Sequence, residues 1–327
     1  MRYSQFLVQS RTRGNKTLIG LLIFVLILSF FFSHFRLHKD SSNSLNDVNS
    51  VEQLSREVDL VVASLSTENS AWVDKFLPQS WTKRVYVVDD SSAELQAPQN
   101  KGREAMVYLT YIIDYYDNLP DNVVFMHASR FAWHNDEPDY DALPILRNLQ
   151  LGYLQEVGYL NLRCVWVIGC PAEIRPIQDE ANAPSAKKIY AKHTYRKAFD
   201  ELFPEIPMPD LVSVSCCSQF GVTKDAIRRR RKDDYIRYRR WLLDTTLPDN
   251  LSGRVFEFSW HMMFGKEPVH CPSASECYCK VFGLCQLECS DESSCEGRYT
   301  LPRVSTMPVG WPKKGWHGED RDFFGPL

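Results

Sequence analysis

Short runs of branched and aromatic residues alternate along the chain with longer segments whose apolar residues recur at helical spacing. Apolar runs of this kind, bounded by turn residues, are typical of buried strands. The predicted strands are Leu60–Leu65, Lys83–Asp90, Asn122–Ala128 and Leu162–Cys170. Between the second and the third, a stripe of Met106, Leu109 and Ile113 predicts a helix, which ends before Pro120.

This alternation predicts an α/β fold with a mainly parallel sheet that is flanked by helices on both faces. We assign this domain to residues 59–268. Ligands of such sheets bind beyond the carboxyl ends of the strands. Polar residues that directly follow a predicted strand are therefore the first candidates for a binding site.

An almost unbroken apolar run, Thr17–Phe32, lies near the N-terminus, and the charged residues before it are all basic. The run is long enough to cross a thin bilayer, and no small residues follow it to form a signal-peptide cleavage site. Because basic flanks stay cytoplasmic, the sequence predicts a cytoplasmic tail (1–16), a transmembrane signal anchor (17–36) and a flexible stem (37–58). The domain that follows is then lumenal, in a single-pass type II membrane protein.

Six of the ten cysteines lie between Cys271 and Cys295, within a C-terminal segment that we assign to residues 269–327. Their spacing lacks the paired Cys-x-x-Cys knuckles of most structural zinc sites. A dense, even set of cysteines beyond a signal anchor favours disulfides in an oxidising lumen. The segment is thus predicted to be disulfide-rich, with all fifteen pairings of six cysteines left open. Asn250–Ser252 is a glycosylation sequon that suits the same compartment.

The charge of the chain does not indicate a nucleic-acid partner. Its 38 Lys and Arg residues nearly balance 41 Asp and Glu residues, which leaves a net charge of −3 at pH 7. Arg228–Arg240 is a local basic run. Because Ile227, Tyr235 and Tyr238 form an apolar stripe through this region, we interpret the run as the solvated face of an amphipathic helix.

Two polar clusters follow predicted strands. Asp89 and Asp90 end the second strand, where they can bind the ribose or base of a nucleotide or ligate a metal, and an Asx turn is the structural alternative. The cluster after the third strand contains His127, Arg130, Trp133, His134, Asn135 and Asp136. It offers a phosphate-binding fork, an aromatic plane, titratable bases and an acid. Ordinary packing of a buried histidine is the structural alternative.

The sequence predicts a role for each of these residues. The predicted catalytic residues are His127, His134 and Asp136. The predicted substrate-binding residues are Asp89, Asp90, Lys101, Arg103, Arg130, Trp133 and Asn135. The candidate ligands of a divalent cation, Mn²⁺ or Mg²⁺, are Asp90 and His127.

Two further pairs of residues are placed on helices by their spacing. Lys101 and Arg103 open the helix before the third strand, where backbone N–H groups attract anions, and capping by Asn100 is the structural alternative. Glu257 and His261 are four residues apart and share a face if this segment is helical. A carboxylate that orients an imidazole is an arrangement of general bases, although packing is the favoured role of His261.

Four segments together carry a resemblance to a known family: "VVAS", "VYVVDD", "NKGREAMVYLTYIIDYYDNLPDNVVFMHASRFAWHND" and "LRCVWVIGCPAEIRP". They resemble an uncharacterised fungal family described as a domain of unknown function, over roughly Leu60–Lys266. This resemblance indicates membership and implies no activity.

A weaker resemblance is to glycosyltransferases of the GT-A fold, which are commonly type II membrane proteins with a stem and carry an acidic residue at an early strand end. That resemblance implies a GT-A-like sheet and a nucleotide site at Asp89 or Asp90. Where such enzymes carry Asp-x-Asp, this chain has His127-Ala128-Ser129. The departure implies a metal-independent site, an unusual ligand set, or no transferase.

Three functions are compatible with these features. The first is a glycosyltransferase-like enzyme of the Golgi or endoplasmic reticulum membrane that uses a nucleotide sugar and a glycan or protein acceptor. The second is a metal-assisted lumenal hydrolase built on His127, His134 and Asp136. The third is a non-catalytic lumenal domain. The leading hypothesis is the first.

Overall fold

The computed structural model describes residues 57–184 and 189–327, which belong to one structural unit. No helix in these two ranges is both long and apolar enough to cross a membrane. The predicted tail and signal anchor, and nearly all of the predicted stem, lie outside the described residues.

The described residues form seven strands and eleven α-helices, numbered here in chain order. The strands are β1 (Val58–Ser64), β2 (Trp81–Val87), β3 (Asn122–His127), β4 (Tyr159–Asn161), β5 (Ser213–Val214), β6 (Phe220–Thr223) and β7 (Val269–His270). The helices are α1 (Trp72–Phe76), α2 (Glu104–Tyr115), α3 (Ala142–Asn148), α4 (Leu151–Val157), α5 (Pro176–Ala181), α6 (Ala191–Leu202), α7 (Lys224–Arg228), α8 (Lys232–Asp244), α9 (Asp249–Glu257), α10 (Trp260–Met263) and α11 (Ala274–Phe282). A 3₁₀ turn, Tyr116–Asn118, follows α2.

The central sheet is mixed, so the prediction of a mainly parallel, GT-A-like sheet is wrong. Its five strands are ordered β2-β1-β3-β6-β4. β1 is parallel to β2 and β3, whereas β6 is antiparallel to both β3 and β4. The chain re-enters the sheet from the carboxyl edge of β3, and β6 therefore runs in the opposite direction. An apolar run predicts that a strand exists and leaves its direction open.

Helices cover both faces of the sheet, as the alternation of elements predicted. Along β1 and β3, Val61 and Phe125 belong to one hydrophobic core, together with apolar residues of α2, α6, α8 and α9. Leu60 and Val124 belong to the opposite core, with apolar residues of α1, α3, α4 and α11. Successive residues of a strand point to opposite faces, and strands buried on both faces therefore appear as continuous apolar runs.

The fourth predicted strand, Leu162–Cys170, is also wrong, since β4 ends at Asn161 and the following residues form a loop. The N–H groups of Cys164 and Val165 donate to the Asp136 carboxylate instead of to a neighbouring strand. The predicted basic helix is two helices, α7 and α8, whose shared apolar stripe is buried as expected.

The prediction of disulfides is confirmed, because all ten cysteines are paired. The bonds join Cys164–Cys277, Cys170–Cys271, Cys216–Cys217, Cys279–Cys285 and Cys289–Cys295. Two of them connect the C-terminal segment to the loop after β4. The C-terminal segment is therefore covalently linked to the α/β part of the molecule.

Candidate functional site

The ends of β2 and β3 lie at the same edge of the sheet. β1 pairs with both strands in parallel register, Ser64 opposite Val87 and Ala63 opposite His127. Asp89 and Asp90 therefore follow one strand, and the histidine cluster another, about two inter-strand spacings or roughly 10 Å apart. Because β6 is antiparallel and begins at Phe220, the loop before it reaches the same edge.

Two neighbouring histidines at this edge have buried ring nitrogens with no hydrogen-bond partner among the described residues. The ring centroids of His127 and His134 are 4.8 Å apart. Both ring nitrogens of His127 and the Nδ1 atom of His134 are buried without a partner among the described residues. Burial lowers the pKa of His127 to about 4, and burial with the charge of the neighbouring His127 lowers that of His134 to about 2. Both rings are therefore neutral at pH 7, and a buried nitrogen left unpaired costs about 1–3 kcal/mol.

Two Gly-Arg steps pack against each other beside these histidines. Gly102 precedes α2 and Gly253 lies within α9, and a Cβ atom on Gly253 would come within 2.9 Å of the Gly102 carbonyl oxygen. The Gly102 N–H donates to the Asp249 carboxylate at 3.0 Å. Only glycine permits such a close approach of two backbones. This contact brings the backbones at Arg103 and Arg254 close together.

Arg103 has an unusual backbone conformation. Its φ of 55° and ψ of −131° lie outside the common regions for a residue with a side chain, at a cost of about 1–3 kcal/mol. The guanidinium groups of Arg103 and Arg254 have no hydrogen-bond or ion-pair partner in the part of the chain that the structure describes. Both act electrostatically to lower the pKa of His134. Strain of this kind persists at functional sites when surrounding contacts impose it.

Two carboxylates complete the cluster. Burial raises the pKa of both Glu104 and Glu257, and the charge of Glu104 raises that of Glu257 further. Glu257 Oε1 accepts a hydrogen bond of 2.7 Å from the Cys217 N–H. Cys217 and Ser218 both have positive φ, 95° and 49°. A carboxylate with a raised pKa is better matched to proton transfer near neutral pH.

The described residues offer little for a metal ion. Among them, one group of three His, Cys, Asp or Glu side chains has ligand atoms within 4.8 Å of one another, namely Cys216, Cys217 and Glu257. Its two sulfurs are joined in a disulfide and so present no thiolate. Asp90 accepts hydrogen bonds from the N–H and hydroxyl of Ser92 in an Asx turn. The Asp90–His127 metal site stays a prediction.

Three of the predicted residues hold the loop after β3 in place. The Arg130 guanidinium is buried and makes two hydrogen bonds to Asp141, at 2.9 and 2.7 Å. The Asn135 amide donates to the carbonyl oxygens of Arg130 and Tyr140. Asp136 accepts from the Tyr278 hydroxyl at 2.5 Å in addition to its two backbone donors. Each of these groups is hydrogen-bonded to protein partners, an arrangement that favours a structural role.

Of the other predicted residues, Lys101 and Asp89 are hydrogen-bonded within the protein, whereas Trp133 lies beside His134. Lys101 donates to the carbonyl oxygens of Leu243 and Thr245 at the end of α8, while Asp89 accepts from the N–H and hydroxyl of Ser66. The Trp133 ring lies 4.3 Å from that of His134. Trp133 and His134 are held by the buried Arg163, which donates to both of their carbonyl oxygens.

The cluster therefore contains residues to which the sequence analysis assigned no role. Glu104 and Arg254 were not among the predictions, and Glu257 was considered only with His261. In the structure His261 lies on α10 and its Nε2 contacts the Pro268 carbonyl oxygen. Both arginines follow a glycine, at 102–103 and 253–254, but the same dipeptide occurs at 297–298, so the sequence alone does not distinguish them.

Comparison with known proteins gives one positive result. No curated protein and no solved structure matches the chain. The profile of a family described as "Protein of unknown function (DUF3431)" matches residues 60–280, a range that contains most of β1, all of β2 to β7 and every residue of the cluster described above. This match covers more than half of the chain, and the chain is therefore a member of the DUF3431 family.

Proposed function

We propose that the cluster at the carboxyl edge of the sheet binds a nucleotide sugar and transfers its glycosyl group to an acceptor. The observation that carries this proposal is the pair of unpartnered guanidinium groups, Arg103 and Arg254, beside neutral histidines and Glu257. An enzyme of this kind needs positive charge for a diphosphate and a base for the acceptor hydroxyl. Both are present within one group of neighbouring side chains.

Recognition of the diphosphate is assigned to the two arginines. A guanidinium presents a planar fork of donors that matches phosphate oxygens, and the strained backbone of Arg103 is imposed before any ligand arrives. The three unpartnered imidazole nitrogens of His127 and His134 supply further hydrogen bonds. Trp133, which is partly exposed beside His134, offers a surface for stacking of the base or the sugar.

The proposed reaction is a displacement at the anomeric carbon. A bond forms between the acceptor oxygen and that carbon, and the bond from the carbon to the phosphate oxygen breaks, which releases the nucleoside diphosphate. Glu257 takes the proton of the acceptor hydroxyl, and its raised pKa suits that task. Arg103 and Arg254 stabilise the negative charge that develops on the leaving group.

The cation requirement is part of the proposal. Two guanidinium groups supply the positive charge that Mn²⁺ or Mg²⁺ supplies in many phosphate sites. We therefore propose nucleotide binding without a divalent cation, and Asp90 with His127 are the residues to test if a cation is required. The acceptor is proposed to be a glycan or a protein.

The compartment is proposed to be the lumen of the Golgi or the endoplasmic reticulum. Support comes from the five disulfides, because structural disulfides persist in oxidising compartments. The predicted signal anchor at 17–36 agrees with this location.

A thermal-shift panel tests the function. Purified protein is mixed with nucleoside diphosphates and nucleotide sugars, with and without Mn²⁺. Binding is expected without metal, and Arg103→Ala or Arg254→Ala is expected to weaken it about 10- to 100-fold, since a hydrogen bond to a charged group is worth about 1.5–3 kcal/mol. Arg303→Ala removes an exposed arginine of the C-terminal segment and serves as the control.

The other outcomes contradict the proposal in different ways. Stabilisation by metal without nucleotide would favour the hydrolase. The absence of a thermal shift with every compound would favour a non-catalytic domain. Equal affinity in the Arg103, Arg254 and Arg303 variants would show that the ligand binds elsewhere.

A further inference from the structure

We infer that a cavity beside the cluster binds the acceptor as a hydroxyl-rich molecule such as a sugar unit. The name "acceptor" rests on the proposed function, whereas the binding of a saccharide is argued from the cavity itself. The cavity has a volume of about 270 Å³. It is lined by Glu173, Ile174, Ala191, Lys192, Arg254 and Phe258, among others.

The size of the cavity limits its ligand. Cavities for drug-sized molecules measure about 300–1,000 Å³, and this one is slightly smaller. It therefore accommodates one small unit, such as a monosaccharide at the end of a larger chain, and leaves the remainder of that chain in solvent.

The lining groups match the two kinds of surface that a sugar presents, its hydroxyl groups and its apolar C–H faces. Glu173, Lys192 and Arg254 line the same cavity. Burial raises the pKa of Glu173, the charges of Lys192 and Arg254 act in the opposite direction, and the charge of Asp179 raises it further. The cavity thus holds one carboxylate acceptor and two cationic donors on its polar side. Ile174 and Phe258 supply apolar surface for the C–H faces of a ring.

A neutral polyol fits these groups better than an anion does. A phosphate or carboxylate in the cavity would meet the Glu173 carboxylate, and the repulsion would offset its attraction to Lys192 and Arg254. A hydroxyl group can donate to Glu173 and accept from either cation. The mixture of charges in the cavity therefore selects for hydroxyl groups.

The wall of the cavity is fixed before a ligand binds. The Glu173 N–H donates to the Ser213 hydroxyl at 3.0 Å. Ile174 and Val212 exchange two backbone hydrogen bonds, at 3.1 and 2.8 Å. Lys192, on the first turn of α6, lies 3.7 Å from the Asp179 carboxylate of α5. A preformed wall reduces the entropy that binding must overcome.

Helix α9 connects this cavity to the proposed catalytic base. Arg254 and Glu257 are three residues apart on α9 and so share a face, and Phe258 follows at the end of the helix. Arg254 acts electrostatically on Glu173 and on Glu257. A sugar in the cavity would therefore place its hydroxyl groups next to the Glu257 side of the cluster, where the donor is proposed to bind.

Ligand-observed NMR with the full-length protein tests the inference. The probes are glucose, galactose and mannose with their α- and β-methyl glycosides, without nucleotide. At least one probe is expected to bind, and Glu173→Gln or Lys192→Ala is expected to reduce its affinity about tenfold or more. Lys197→Ala, an exposed lysine on the same helix, is the matched control. Nucleotide affinity is measured separately on the unsubstituted chain.

The outcomes separate this inference from the proposed function. Nucleotide binding without saccharide binding overturns the acceptor cavity and leaves the proposed function standing. Saccharide binding that needs Glu173, in a protein that binds no nucleotide, supports the cavity and overturns the transferase. Inorganic phosphate that competes for the cavity, or saccharide binding that tolerates both substitutions, overturns the inference.

Discussion

At the scale of single residues, the Glu257 carboxylate is buried and accepts one backbone hydrogen bond, from the Cys217 N–H. Burial raises its pKa above the ordinary value of 4.5, so the folded chain binds a proton at this group more readily than the unfolded chain does. Stability from this group is present below the unfolded pKa and is lost as the pH rises through the folded pKa. The native carboxylate therefore costs stability at neutral pH, as functional groups often do.

Replacement of this group should separate stability from activity. Glu257→Gln is expected to raise the melting temperature at pH 8 relative to the native chain, to leave it nearly unchanged at pH 4, and to abolish turnover. Melting curves at the two pH values measure the first effect. Glu296→Gln, at an exposed position, is the control, and an equal gain in both variants would contradict the explanation.

His127 gives the opposite pH dependence. Its pKa is lowered to about 4 by burial, so the unfolded chain binds a proton more readily than the folded one. The resulting stability is lost as the pH falls from about 6.5 toward 4. His127→Asn is expected to reduce the slope of stability against pH in that window, measured by denaturant unfolding. The exposed His317→Asn should leave the slope as it is, and a native slope in both variants would refute the assignment.

At the scale of elements, the start of α2 is set by Gly102. Its φ is +66°, and a Cβ atom there would lie 2.5 Å from Leu242 Cδ1 of α8. Gly102→Ala would therefore strain the backbone, because of the positive φ, and would also bring the new Cβ atom into a steric clash with Leu242. We expect a loss of about 2–4 kcal/mol in the free energy of unfolding, together with weaker nucleotide binding, because Arg103 follows directly.

Gly297 offers a matched control for this substitution. Its φ is +68°, and no other group lies within 4 Å of the position that a Cβ atom would take there, so Gly297→Ala tests backbone strain alone. The difference between the two variants in chemical denaturation measures the contribution of packing. If both lose the same stability, the contact between α2, α8 and α9 does not set the position of Arg103.

At the scale of the whole molecule, the disulfides differ in the length of chain that they close. Cys164–Cys277 spans 113 residues, whereas Cys279–Cys285 spans 6. The chain-entropy relation gives the longer loop an advantage of about 2–3 kcal/mol. Replacing Cys164 and Cys277 with alanine is expected to lower the free energy of unfolding by about 2–3 kcal/mol more than replacing Cys279 and Cys285 does. Equal midpoints in guanidinium would show that loop closure does not dominate.

The compartment is tested with the intact chain. In sealed microsomes, a tag at the C-terminus is expected to resist added protease and to be digested once detergent opens the membrane, since the domain is proposed to be lumenal. A tag at the N-terminus should be digested in both conditions. Digestion of the C-terminal tag without detergent would refute the proposed orientation.

Much of the sheet was determined by the sequence alone. The apolar runs predicted β1, β2 and β3 to within a few residues. Burial on both faces produces a continuous apolar run, which is visible in the sequence without knowledge of the neighbouring strands. The same patterns predicted α2 and the buried stripe of α8. The density of cysteines predicted disulfides, which follow from composition rather than from contacts.

Tertiary structure decided the direction of β6, the disulfide partners and the membership of the site. Arg130, Asn135 and Asp136 have the chemistry of a binding site, yet they are already hydrogen-bonded to neighbouring groups. Arg103 and Arg254 are 151 positions apart in the chain, and their backbones come close because two glycines allow the start of α2 to touch α9. A side chain's residue type is local, whereas its free hydrogen-bonding capacity depends on which distant groups the fold brings beside it.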